Sequence, residues 1–486
     1  MSHFLPTLIL TSLTLVAYVL ARMIYNVFYH PLSAFPGDAF FCATGLTKAY
    51  HMIAGDLQLK VKDMHDKYGS VVRIAPTELS FSYCSAWKDI YGSRGGRELS
   101  KFYDFYRVDE AMPQHIISAG KAKHSILRRY LAHGFSENAM KAQEPVILDL
   151  VNLLMQRLRE HAEEGARVVD VNKWFNFATF EIIGKLTFGA DLGNLRNRDW
   201  HPWVKGSANN NMVVGFMAAA NSVGLGPIIK WCISNEILPR QKYLDELAEM
   251  VQKRTGVTVE RPDFIQGLLR DDVQLSNGEI VANVEALIGA GSESTATLLT
   301  GTVCALLQNP DQLAKVIDEV RSTFRTEDEI TLHSVQRLDY MLACLNETFR
   351  YYPPVTNGMP RVTPKEGAII GGRLVPGNTV VAIWQWAICH DPALWKDPYT
   401  FRPERFLEAP EFSTDVREAL NPFSVGTRNC IGRNLSYAET RLILARLFYY
   451  FDLELADPDQ DWFGAQKAYL VWDAPALNMY LKPVVR

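Results

Sequence analysis

Sulfur does little to organise this chain. Its seven cysteines (Cys42, Cys84, Cys232, Cys304, Cys344, Cys389 and Cys430) are odd in number, and no two share a CxxC spacing. That argues against a disulfide framework or a zinc site and points to a reducing compartment. Net charge is also scarce. The formal value is −4 at pH 7, which argues against attraction of the whole surface to nucleic acid or anionic lipid. The sequence has no internal repeat, no low-complexity segment and no flavin or nicotinamide fingerprint. Electrons for any redox reaction must therefore come from outside. What remains is ordinary for a globular protein: 48% hydrophobic, 21% charged, and 486 residues with which to bury a large core.

Charge is missing altogether from residues 4–21, where Leu, Ile, Val and Thr dominate. At ~1.5 Å per residue this run spans nearly all of a hydrocarbon core ~30 Å thick. Arg22 follows, then a mostly apolar run over 23–29. Met1-Ser2-His3 carry no Lys or Arg, so the positive-inside rule places the following domain in the cytosol. No A-x-A site follows, which disfavours a cleaved signal peptide. His30-Pro31-Leu32 and Phe35-Pro36-Gly37 read as a proline-stiffened connector or as an ordinary loop.

Beyond the connector, Val71-Val72-Arg73-Ile74 and Glu78-Leu79-Ser80-Phe81 flank Ala75-Pro76-Thr77 as a short hairpin. The next two hundred residues or so are mainly helical in pattern, with one long amphipathic stretch over 138–163. Residues 209–229, rich in Asn, Met, Ala and Gly, have weak periodicity and suit a cap over a pocket or a plain loop. Ser276-Asn277-Gly278-Glu279 is a capping box. The helix it opens runs to Gln308, about 32 residues or ~48 Å, and must cross the middle of the domain. Further helices are expected at 338–350 and 435–451, with a short strand at 379–383. The fold class is mainly α with a minor β portion: a single large domain behind an N-terminal transmembrane helix.

Phe423-Ser424-Val425-Gly426-Thr427-Arg428-Asn429-Cys430-Ile431-Gly432 is the most informative run. Two glycines bracket a cysteine just before a helix. Glycine permits tight turns and close approach of a flat ligand. Amides at a helix N-terminus favour thiolate, the form that ligates iron. Arg428 can pair with an acidic group on the same ligand.

This run resembles FxxGxRxCxG, the haem-binding signature of the cytochrome P-450 family, and the match extends through Leu435 and Glu439. Glu347-Thr348-Phe349-Arg350 is similar to the family's ExxR motif, both charges lying on one helical face. Arg405 in Pro403-Glu404-Arg405-Phe406 matches the third member of that cluster. Ala290-Gly291-Ser292-Glu293-Ser294-Thr295 resembles the oxygen-activation motif, with Ser294 where threonine is usual. Gly289 and Gly291 each cost a mid-helix position ~1 kcal/mol, tolerable if a ligand must approach the backbone. His124 and Arg128, one turn apart, stand where the family often has Trp and Arg on a haem propionate, and Arg361 fits a further such contact. The anchor with HPLSAFPG, Arg261-Pro262-Asp263-Phe264 and FRPERF look like microsomal fungal members.

The resemblance implies haem b ligated by the thiolate of Cys430, with Phe423, Gly426, Arg428, Gly432, His124, Arg128 and Arg361 around it. Ser294, Thr295 and Glu293 would be the proton relay. Residues 1–29 would be the membrane anchor and 30–486 the haem-thiolate catalytic domain. The enzyme would be a monooxygenase of the endoplasmic reticulum membrane, single-pass, with a cytosolic domain. It would take electrons from NADPH-cytochrome P-450 reductase, docked on Lys121, Lys123, Arg128, Arg129 and Arg433, and would not bind nucleic acid. The substrate would be a hydrophobic small molecule of fungal secondary metabolism: a polyketide, terpenoid or peptide alkaloid. Its pocket is expected from 104–117, 209–223, 285–290, 355–358 and 471–474. The alternatives are a peroxide-rearranging haem enzyme without a reductase, a non-catalytic haem sensor, and a membrane-anchored structural protein without cofactor.

Overall fold

The capping-box helix becomes the axis of the molecule. In the computed structural model it spans Asn277–Leu307, with Gln308 as its C-cap. Ser276 Oγ accepts from the Glu279 amide at 3.2 Å, and the Ser276 amide donates to Glu279 Oε2 at 2.9 Å. Residues 295–306 are buried without interruption, as a helix apolar on every side must be. Pro310 ends it by opening the next helix, Pro310–Thr323. The structure describes residues 4–93, 98–107, 112–189, 191–208, 210–235, 237, 240–256, 263–270 and 273–485.

Helix makes up 58% of the chain, with a minor strand portion, in agreement with the class read from sequence. The central helix lies against Val171–Phe188, which is almost wholly buried too. Here the sequence reading of a glycine needs correction. A Cβ on Gly291 would lie 2.7 Å from Ile183 Cδ1, so Gly291 lets two helices approach rather than admitting a ligand. Gly301 does the same for the ring of Tyr352. Of the four glycines in the central helix, Gly289 alone has open space beside it.

The long amphipathic stretch is helix Glu137–Ala162, capped by Ser136. Residues 210–235 also settle the choice left open by weak periodicity: they form helices Asn210–Ser222 and Gly226–Ser234, not a loop, while Asn209 lies outside the described residues.

The strand portion is led by a five-stranded sheet of order β1 (Val71–Ala75), β2 (Glu78–Phe81), β5 (Val380–Ile383), β4 (Arg361–Val362) and β3 (Ser100–Lys101). The expected hairpin is β1–β2. Pairing of β3 with β4 sets Lys101 opposite Arg361, two cations side by side on a buried edge.

At the other end, helix Phe4–Phe28 carries a 22-residue span, Thr7–Phe28, long and apolar enough to cross a membrane, and its residues 7–22 are exposed. The connector is docked rather than loose. Asn26 is buried and its Nδ2 donates to Ala43 O at 2.8 Å. The Arg73 amide donates to Pro36 O at 2.7 Å, and Leu32 is buried.

Candidate active site

The cysteine loop is held by its own backbone. The Cys430 amide donates to Phe423 O at 2.9 Å, and the Ser424 amide to Asn421 O at 2.9 Å. Gly426 sits at φ 81°, and a Cβ there would collide with Tyr91 O, so no other residue fits. Phe423 packs edge-on to Phe349, with centroids 5.1 Å apart. Cys430 is the one exposed thiol among the described residues, yet protein surrounds it. That burial pushes the thiol up. The Gly432 backbone amide and the Arg128 guanidinium only partly offset this. The following helix begins at Arg433, so Cys430 lies before its first turn. Of the amides expected to favour thiolate, that of Gly432 does so, and burial outweighs it.

Behind the loop, Glu347, Arg350 and Arg405 meet with no exposure at all. Arg350 makes a two-pronged pair to Glu347, at 2.7 and 2.8 Å, and also donates to Cys389 O, Pro398 O and Thr400 O. Arg405 Nε donates to Glu347 Oε1 at 3.2 Å. A fourth member, missed in the sequence, completes the set: Asp415 Oδ2 accepts from Arg405 Nη1 at 2.7 Å. Two guanidinium groups then face two carboxylates, so the buried group is neutral. Phe349, between the two charges of ExxR, passes this rigidity to Phe423.

A second cluster is not neutral. His124 and Arg128 lie on helix Lys121–Ala132. Arg128 donates to both the carbonyl and Oδ1 of Asn429, the latter at 2.7 Å, and so braces the cysteine loop. Arg428 was expected to meet an acidic ligand group. Among the described residues it donates to Glu98 Oε1 at 2.9 and 3.2 Å and to Ala119 O at 3.1 Å. Arg361 donates to Tyr106 Oη at 3.2 Å. Lys101 is buried and donates to Ile117 O. Burial, then Arg428 and Arg361, push its ammonium down to about 6. Burial, then Lys101, Arg428 and Arg128, push His124 down to about 4. Among the described residues, Glu98 is the carboxylate that meets this concentration of positive charge. A thiol beside cations that repel one another fits an iron ring bearing carboxylates. Lys101 and Glu98 carried no signal in sequence, being isolated charges near a two-residue strand.

Opposite in chemistry is the middle of the central helix. Ala290 is exposed there, although most of the helix beyond it is buried. Ser294, one turn on, shares that face, and its Oγ donates to Ala290 O at 2.6 Å. Thr295 is buried and shares the face of Gly291, against Val171–Phe188. Glu293 is half-buried. The three expected relay residues therefore do not share one face.

A small cleft of roughly 30 Å³ takes Asp104, Phe105, Ala218, Ser222, Asn357 and Gly358 from the expected pocket segments. It adds Lys48, Met52, Leu57 and Trp384, which were not expected. Residues 285–290 and 471–474 do not line it, though Val471 bridges to Val355. Residues 108–111 of the expected pocket, and Arg261 and Pro262, lie outside the described residues.

A family model for cytochrome P-450 matches residues 36–476. The chain is 42% identical to the cytochrome P-450 monooxygenase tpeC of Talaromyces stipitatus over 498 aligned residues, covering 98% of this chain and 97% of that one. It is 41% identical to the monooxygenase prhB of Penicillium brasilianum, covering 96% of each. It is 39% identical to a trichothecene C-15 hydroxylase of Fusarium sporotrichioides, covering 98% of each.

Proposed function

This chain belongs to the cytochrome P-450 family, and from that premise we propose that it oxidises a hydrophobic small molecule with electrons drawn from NADPH through a separate reductase. It is a haem monooxygenase and thus an oxidoreductase. The observation that carries the reading is the exposed Cys430 thiol in a loop that Arg128 braces through Asn429 and Arg428 adjoins.

Haem, when bound, supplies oxygen activation at a thiolate-ligated iron. Cys430 would ligate it. Lys101, His124, Arg361 and Arg428 would take its carboxylates, while Phe423, Gly426 and Gly432 shape the loop and Arg128 fixes Asn429 beside the sulfur. Ser294 holds a hydroxyl proton on the open helix face. Turning away from Ala290 O lets it donate that proton outward, and Glu293 is the nearby carboxyl that replenishes it. Without threonine's methyl, Ser294 is less restricted in rotamer. Thr295 packs rather than relays.

The substrate we assign is a polyketide, terpenoid or peptide alkaloid of fungal secondary metabolism. Similarity to a trichothecene C-15 hydroxylase supports hydroxylation of such a skeleton. The exposed Lys121, Arg129 and Arg433 suit an acidic flavoprotein. Lys123 pairs with Glu279 at 2.6 Å and contributes less than expected. The exposed apolar span Thr7–Phe28 supports a single-pass anchor in the endoplasmic reticulum, with residues 30–486 cytosolic.

Reduced, CO-treated protein should give the long-wavelength band of cysteine-ligated haem. With NADPH and a microsomal reductase it should then oxidise metabolites extracted from a strain lacking this chain. Folded, haem-loaded protein without that band would refute the reading, as would turnover that needs no NADPH.

A further inference from the structure

The segment ending in Asp263-Phe264 stood out in the sequence, and nothing above uses it. Asp263 is buried. Its Oδ2 accepts from Arg254 Nε at 2.5 Å, and Oδ1 accepts from the Gln266 amide at 2.8 Å. Arg254 lies in the last turn of helix Arg240–Thr255 and is itself buried. A buried, doubly bonded carboxylate of this kind is a firm fixture, since either charge alone would be costly there. It fixes the next residue, Phe264, whose amide donates to Leu186 O at 2.8 Å and whose ring is fully buried.

Phe264 stacks on Phe135, with centroids 4.1 Å apart and planes 17° from parallel. Room for the stack depends on Gly134, where a Cβ would lie 2.9 Å from Phe264 Cα. Phe135 sits in the turn between helices Lys121–Ala132 and Glu137–Ala162, so helical bonding alone does not set its ring. The other edge of that ring faces the cysteine loop. A Cβ on Gly432 would lie 3.9 Å from both Phe135 Cε1 and Cys430 Sγ. The ring edge and the sulfur thus flank Gly432.

We propose that Phe135 is a positioning residue for Cys430: pressed by Phe264, it holds Gly432 against the sulfur and so fixes where the sulfur sits. A glycine has no side chain to anchor it, and Phe135 packs on its otherwise featureless face. The ring acts on the metal ligand only through Gly432 and touches no reacting atom. The proposal rests on the haem-thiolate reading.

The full chain is loaded with haem, reduced and treated with CO. Loss of the cysteine-ligated band is timed at a urea concentration that leaves far-ultraviolet circular dichroism unchanged. Phe135→Ala and Phe264→Ala should lose the band severalfold faster than the unaltered chain, with Phe135→Leu intermediate and Phe264→Tyr restored. Phe177→Ala, an equally buried ring in helix Val171–Phe188, should lower the dichroism midpoint without hastening that loss. Should Phe135→Ala fail to fold, Phe135→Leu and Phe264→Ala carry the comparison. If these variants lose the band no faster than Phe177→Ala, the buttress is wrong and the haem-thiolate reading stands. If the unaltered chain never shows the band, both fall.

Discussion

Replacing Asp415 with Asn tests whether the fourth member of the buried charge group is as necessary as its geometry implies. Asp415 and Arg405 have no exposed side-chain surface, and their atoms meet at 2.7 Å. Asn keeps the shape and one acceptor but removes the charge. Two guanidinium groups would then share Glu347 alone, leaving about one uncompensated positive charge in the interior. Breaking a buried pair from one side costs ~3–5 kcal/mol, a large part of a typical total stability of ~5–15 kcal/mol. With a urea slope of ~3 kcal/mol per molar, the unfolding midpoint should fall by about 1–2 M. The assay is urea unfolding of the haem-loaded protein, followed by dichroism and haem absorbance together. Arg405→Met alone should cost as much, whereas the double variant should cost less than the two single losses summed, because the stranded charge is gone. A midpoint within about 0.3 M of the unaltered chain would refute the charge-balance argument.

Gly426→Ala should yield folded protein with little bound haem, because φ 81° and the nearby Tyr91 carbonyl leave no place for a methyl; a pyridine haemochrome assay showing full loading would contradict this. Ser294→Ala should still consume NADPH while product falls and peroxide rises, and unchanged product yield would remove Ser294 from the relay. His124 carries a pH prediction. Its folded value of about 4 lies below the ordinary 6.5, so the unfolded chain binds the extra proton between those limits. The stability it supports is full above 6.5 and is lost as pH falls towards 4. His124→Gln should flatten the urea midpoint over that window, and an undiminished slope there would count against a neutral, buried His124.

Helices were legible because their signals are local. The Ser276 cap and Pro310 bound the central helix within a residue of the expected ends. The hairpin at 71–81 was legible for the same reason. The cysteine loop and ExxR were read through their resemblance to a family, and the structure brings them together through Phe349 and Phe423. Non-local partners were invisible. Asp415 lies ten residues from Arg405 in an irregular stretch, although the excess of one positive charge among Glu347, Arg350 and Arg405 was itself a sign that an acid was missing. Lys101 reaches Arg361 only through a sheet register that joins residues 260 apart. The contact of Gly291 with Ile183 and the burial of Thr295 were not legible, because period alone does not say which helix face meets a neighbour.

The Asn26 contact has a consequence for how the molecule sits. With its Nδ2 on Ala43 O, the end of the N-terminal apolar helix is tied to the domain, and the connector behind it is docked. On the anchored reading proposed above, helix and domain would tilt as one lever, so a bilayer thinner or thicker than the apolar span would re-aim the basic face of Lys121, Arg129 and Arg433.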